Sequence, residues 1–87
     1  MQPKYNFSKK SYQAAGTIEI YLDVTDGIIR HSKIYGDFFA KRDVGEIESA
    51  LIGVRHNRAE IEKMLTGFCL DDYFLNIPLE NLINCFF

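Results

Sequence analysis

Thr17-Ile18-Glu19-Ile20-Tyr21-Leu22-Asp23-Val24-Thr25-Asp26-Gly27 is the stretch that decides the fold. Ile18, Ile20, Leu22 and Val24 alternate with Thr17, Glu19, Tyr21 and Asp23, the period-2 pattern of a half-buried strand. Asp26-Gly27 then stands between two β-prone runs, the strongest short-range signal for a hairpin turn. The return strand runs from Ile28 to Tyr35 and breaks at Gly36. Ile29 and Ile34 lie an odd number of positions apart, so an uninterrupted strand would place them on opposite faces. Either a bulge near His31 or Ser32 reconciles them, which is the favoured reading, or one isoleucine faces out; with the bulge, His31 is an edge or solvent-facing residue.

Working outward, the hairpin ends in Ile34-Tyr35-Gly36-Asp37-Phe38-Phe39. Gly36 permits a close backbone approach, and Asp37 is placed to accept from backbone N–H groups at the corner. Adjacent residues on extended chain face opposite sides. Phe38 is therefore expected to anchor the corner in the core, with Phe39, or the Tyr35-Asp37 edge, open to another body. On the amino-terminal side, residues 1–6 read as a leading linker, and Phe7 to Gln13 as an edge strand blunted by Lys9 and Lys10. Ala14-Ala15-Gly16 turns it back into the main strand.

Beyond Phe39 the hydrophobic period changes to that of helices. Asp43-Val44-Gly45-Glu46 has the form of a capping box, Val44, Ile47, Ala50 and Leu51 make an apolar stripe, and Gly53 is a natural stop. Asn57-Arg58-Ala59-Glu60 repeats the capping form ahead of Ile61, Met64 and Leu65, with Gly67 at the end. Val54-Arg55-His56 reads as a connector. Leu70 to Phe74 reads as a single helical turn that drops Tyr73 or Phe74 into the core. Pro78 opens a last helix whose Leu79, Leu82, Ile83 and Phe86 share one face.

The expected architecture is α+β: a small antiparallel sheet, made of the β-hairpin plus the edge strand, covered on one face by three helices. They span about 43–52, 57–66 and 78–86. Residues 7–87 form a single domain. The expected core is Ile18, Ile20, Leu22, Ile34, Phe38, Ile47, Leu51, Ile61, Leu65, Tyr73, Leu82 and Ile83.

The totals narrow the function more by exclusion than by assignment. A chain of 87 residues with 47% hydrophobic content makes one ordered domain. A net charge of -2 gives no nucleic-acid footprint. No export signal or long apolar run is visible, so the expectation is a cytoplasmic protein with no membrane partner. Cys69 and Cys85 lack any CxxC or Cys/His spacing and read as two reduced thiols. Lysines lead the chain, whereas Asp71, Asp72 and Glu80 are the only charges after Phe68.

A search for chemistry returns little. The six glycines are single punctuators, none in a phosphate-cradling GxGxxG or GxxxxGK spacing. His31 and His56 have no acidic or thiol neighbours at metal-ligand spacing. Asp71-Asp72 and Glu46/Glu48 are pairs only in sequence and diverge on a helix. No catalytic, cofactor-binding or metal-binding residues are therefore assigned.

A family resemblance takes up where this ends. Gly16-Thr17-Ile18-Glu19, Asp23-Val24, Gly27 and Ile34-Tyr35-Gly36-Asp37-Phe38-Phe39 resemble the carboxy-terminal accessory domain of the lipoate–protein ligase A family. The likeness continues through Glu46, Leu51-Ile52-Gly53-Val54-Arg55 and Leu70-Asp71-Asp72-Tyr73-Phe74, and so covers nearly the whole chain. It implies a non-catalytic domain of a parent enzyme that uses ATP and magnesium to activate lipoate as lipoyl-adenylate. The parent then transfers the lipoyl group to a lysine of a carrier domain or of the glycine-cleavage H protein. The implied direct partner is the amino-terminal catalytic domain, against which the small domain supports adenylation and moves. Tyr35, Gly36, Asp37, Phe38 and Phe39 are the candidate interdomain contact.

Two other classes stand beside this reading. A free-standing scaffold related to iron–sulfur assembly proteins would need a reactive thiol, and only Cys69 could serve. A purely fold-stabilising domain with no functional face is the third.

Overall fold

Two antiparallel hairpins share a central strand. β1 (Phe7–Gln13), β2 (Gly16–Thr25) and β3 (Ile28–Gly36) form a three-stranded sheet in the order β1-β2-β3. The structure, a computed structural model, describes residues 5–14, 16–38 and 40–87. Ala15 of the first expected turn, and most of the expected linker, lie outside the described residues. Asn6, assigned by sequence to that linker, is fastened to β2. Its side-chain amide donates to the Val24 carbonyl at 2.6 Å and its oxygen accepts from the Val24 N–H at 2.8 Å.

The β2–β3 turn is the one that Asp-Gly signals. Asp26 and Gly27 both have positive φ, 55° and 74°, as a type I′ turn requires. The bulge also exists, one step earlier than the sequence suggested. Asp23 pairs with His31 but Val24 pairs with Ile29, so Arg30 is the extra residue. Placing it before His31 lets Ile29, Ser32 and Ile34 all face inward, and all three are buried. His31 is exposed.

Among the described residues three helices lie on that inward face: α1 (Gly45–Leu51), α2 (Arg58–Leu65) and α3 (Leu79–Asn84), with a 3-10 turn at Leu70–Asp72 between α2 and α3. Ile18, Ile20 and Leu22 meet Ile47, Leu51, Ile61, Leu65, Leu82 and Ile83 in a single buried cluster. The core also takes in Phe74 and Phe86, as the 3-10 turn and the last helix's apolar stripe suggested, and Ile29, as the bulge suggested, whereas Ile77 and Cys85 were not foreseen. Phe38, expected in the core, is only half-buried and packs against its rim. The larger share of burial falls to Phe74, which is fully enclosed.

Three local expectations need correction. The capping box at α1 does not close: Asp43 accepts from the Gly45 N–H at 2.9 Å, while the Glu46 carboxylate is taken by the Tyr73 hydroxyl instead. Asn57 does cap α2, accepting from the Glu60 N–H at 2.8 Å. The last helix is shorter than 78–86, because Cys85 and Phe86 tighten into bonds three residues back, to Leu82 and Ile83. Val54-Arg55-His56 is more than a connector. Ile28 bridges Arg55, the Ile29 N–H donates to Val54, and the Gly53 and His56 N–H groups donate to Ile29 and Gly27. The start of the β3 edge is thereby sealed.

Candidate functional site

The corner after β3 is built around a contact that only glycine allows. A Cβ on Gly36 would sit 2.0 Å from the Thr17 carbonyl oxygen and 2.8 Å from the Phe38 ring. Asp37 then grips Thr17 twice. Its N–H donates to the Thr17 carbonyl at 3.2 Å, and its Oδ1 accepts from the Thr17 N–H at 2.5 Å. The chain turns inward, and the Phe38 ring lies 5.0 Å from that of Phe74. Phe39, the remaining member of the candidate contact, lies outside the described residues.

The loop that follows is tied to the 3-10 turn. The Lys41 and Arg42 N–H groups both donate to the Asp72 carbonyl, at 2.7 and 3.0 Å, and Arg42 Nε stands 3.5 Å from the Asp72 carboxylate. Tyr73 donates its hydroxyl to Glu46. That hydrogen bond, burial and the nearby Glu46 charge all raise the Tyr73 pKa above its ordinary value. Arg42 is likewise raised, first by Tyr73 and Glu46 and then by Asp72. These links fix the corner from inside. Of the expected contact residues, Gly36, Asp37 and Phe38 are engaged within the domain, whereas the Tyr35 ring points outward and is 51% exposed.

Tyr35 does not stand alone. Alternation along β2 and β3 puts Tyr21 and Tyr35 on the face opposite the helices. Their rings meet edge-on with centroids 5.7 Å apart, and Tyr5 adds a third ring 5.8 Å from Tyr21. Tyr12 of β1 is 78% exposed on the same face, with Lys10 Nζ 5.5 Å above its ring. Sequence reasoning overlooked this ladder, although Tyr21 and Tyr35 already occupied the polar positions of an alternating pattern.

Elsewhere the chemistry is structural. His56 Nε2 lies 2.6 Å from the Phe86 carbonyl, which can only accept, so that nitrogen carries the proton. The same ring stacks on Phe87 with centroids 4.7 Å apart. A cleft of about 380 Å³ between α2 and α3 is lined by Arg58, Glu62, Leu79, Glu80 and Ile83, and Arg58 is already bonded to Asn84. Cys69 is exposed and Cys85 is buried. No group of three or more metal-ligating side chains occurs among the described residues. No helix among them is long and apolar enough to cross a membrane.

A three-stranded sheet with helices on one face and tyrosines on the other defines a small α+β domain with an open aromatic face. Comparison with known proteins gives its kinship. Residues 2–86 match the family described as "Bacterial lipoate protein ligase C-terminus", and the chain belongs to that family. It is 42% identical over 81 residues to "Lipoate--protein ligase 1" of Staphylococcus aureus (strain Mu50 / ATCC 700699), covering 93% of this chain and 25% of that protein. It is 39% identical over 82 residues to "Lipoate-protein ligase LplJ" of Bacillus subtilis (strain 168), covering 94% and 25%. With "Lipoate--protein ligase" of Streptococcus pyogenes serotype M5 (strain Manfredo) the identity is 36% over 80 residues, covering 92% and 24%. The chain therefore spans about a quarter of the length of the curated relatives it matches.

Proposed function

We propose that this chain serves as the non-catalytic carboxy-terminal domain of an ATP-dependent lipoate–protein ligase. It supports lipoate adenylation and lipoyl transfer to a carrier lysine by docking on, and moving against, the catalytic domain. The observation that carries this reading is the match of almost the whole chain to a quarter-length segment of proteins named as ligases, within a family described as their C-terminus. The scaffold alternative has only an exposed Cys69 behind it and is not favoured. ATP, magnesium and lipoate belong, on this reading, to the catalytic domain, and lipoyl carrier domains or the glycine-cleavage H protein are indirect partners. The cytoplasm is the compartment where such a ligase meets its ATP. Contact with the catalytic domain is made from the corner side, Tyr35 to Phe39, where Tyr35 is an exposed ring among the described residues.

The test compares a full-length ligase ending in this segment with the same ligase truncated before it. Lipoyl-adenylate formation and lipoyl transfer are followed separately. The truncated form is expected to lose adenylation rate, and the 87-residue chain alone is expected neither to bind ATP tightly nor to form the adenylate. A truncated ligase as fast as the full-length one in both steps overturns the proposal.

A further inference from the structure

Helices α1 to α3 lie on one face of the sheet, where Ile18, Ile20, Leu22, Ile29 and Ile34 are buried beneath them. The opposite face carries Tyr12, Tyr21 and Tyr35, joined by Tyr5. Tyr12 and Tyr35 are two of the large apolar side chains most open to solvent. Lys10 stands opposite Glu19, and Glu19 opposite Tyr35, so charge of both signs is interleaved with the rings. Rigid aromatics set in a mixed polar field are what a separable protein interface uses as anchors.

We propose that this open face, centred on Tyr21 and Tyr35, is the surface on which the domain receives the portion of the ligase chain that precedes it. The inference rests on the ligase reading above and goes further by naming the face. Its occupant follows from the direction of the chain. The family description places the matched segment at the C-terminus, and about three quarters of the relatives' length lies outside it. A preceding domain enters this one at its amino-terminal end. There Tyr5 already has its ring on the open face, against Tyr21, and the chain passes directly into β1, an edge strand of the sheet. A body attached at that point reaches the tyrosines within a short linker, whereas the helices lie on the far side of the sheet. Interfaces between domains of one chain are modest and partly polar, as this face is.

The test uses a full-length ligase ending in this segment, for which the Staphylococcus aureus relative with its matching quarter replaced serves, in a Cys69→Ser background. Lys10→Cys reports on the open face, and Ile52→Cys, exposed on the turn after α1, is the control. Maleimide labelling at each position is followed by peptide mass spectrometry. Position 10 is expected to label about tenfold more slowly in the full-length protein than in the 87-residue chain, with position 52 equal in both. Adding Tyr35→Ser is expected to restore fast labelling at position 10 and to slow adenylation, while the circular-dichroism melt of the 87-residue chain stays in place. Adenylation without protection of position 10 overturns this face and leaves the ligase reading standing. Protection without adenylation keeps the face and sinks the ligase reading. Protection that appears only when an apo lipoyl carrier is added, or in the isolated chain as its concentration rises, assigns the face to a carrier or to a second copy and overturns the proposal.

Discussion

The Asp37 carboxylate accepts the backbone N–H of Thr17 while the Asp37 N–H donates back to the Thr17 carbonyl. This reciprocal pair joins the end of β3 to the beginning of β2. It extends the ladder one step past Ile18↔Gly36, and it does so where Gly36 lets the backbones close to a distance no side chain would tolerate. A corner usually frays. This one is held at both the N–H and the carbonyl of a single residue, Thr17, which fixes the backbone just beyond Tyr35.

Asp37→Ala removes a charge-assisted acceptor and leaves the Thr17 N–H to water. Because the bond is exposed, the expected loss is about 1 kcal/mol in urea denaturation, toward the lower end for such bonds. Asp37→Asn keeps an acceptor oxygen and is expected to lose less than half as much. Equal losses in the two variants would show that charge, not the acceptor geometry, holds the corner.

Glu48 guards the β3 edge from outside. Its Oε2 accepts the Ile34 N–H at 2.7 Å, its backbone carbonyl accepts the Ser32 hydroxyl at 2.7 Å, and Lys33 Nζ approaches to 3.9 Å. Glu48→Ala therefore uncovers one strand N–H without touching the core. Stability is expected to fall by about 1–2 kcal/mol, with hydrogen exchange accelerating at the Ile34 amide more than at Leu22. Uniform acceleration across the sheet would mean global loosening and refute an edge-capping role.

The Tyr73 hydroxyl bond to Glu46 gives a stability term with a defined pH sign. Because the folded-state pKa is raised above the ordinary value of 10.0, the neutral phenol is favoured in the folded state. The contribution is complete below pH 10 and disappears as pH rises through the higher folded-state value. Tyr73→Phe lacks it at every pH. The stability gap between wild type and Tyr73→Phe, measured by denaturation from pH 7 to pH 11.5, is expected to be constant at first and to narrow only at the alkaline end. A gap that narrows on acidification instead would contradict the assignment.

Much of this fold is legible in the sequence because its signals are local. Alternation from Thr17 to Val24, Asp26-Gly27 and the Asn57 cap each act within a few residues, and each appears as read. What was missed depends on partners far along the chain. Nothing local to Glu46 or Glu48 indicates that one serves Tyr73 and the other Ile34, yet the first of these long-range bonds displaces the capping box. The bulge at Arg30 was legible in kind but not in place, since its register depends on Asp23 and Val24 across the ladder. Val54-Arg55-His56 carries no strand pattern, and its pairing with β3 is set by where α1 ends. At the candidate site the strands were readable, but the meeting of Tyr5, Tyr21 and Tyr35 required the register of the whole sheet.

The two rings of the corner separate burial from position. Phe74 is fully enclosed, while Phe38, its partner at 5.0 Å, is half-buried at the rim. Phe74→Ala opens a cavity within the buried cluster and is expected to cost about 3–5 kcal/mol, enough to unfold a domain this small at moderate temperature. Phe38→Ala removes a ring that solvent already reaches on one side, so relaxation and water fill the space, and about 1–2 kcal/mol is expected. The variants should also differ in kind. Loss of Phe38 frees the chain between Asp37 and the Asp72 tether without disturbing α1 or α3, so amide exchange should rise from 38 to 44 and nowhere else. Loss of Phe74 should raise exchange across the sheet and helices together. Equal costs in chemical denaturation would place Phe38 in the core after all, and the corner would then be a packing element rather than a mount for Tyr35.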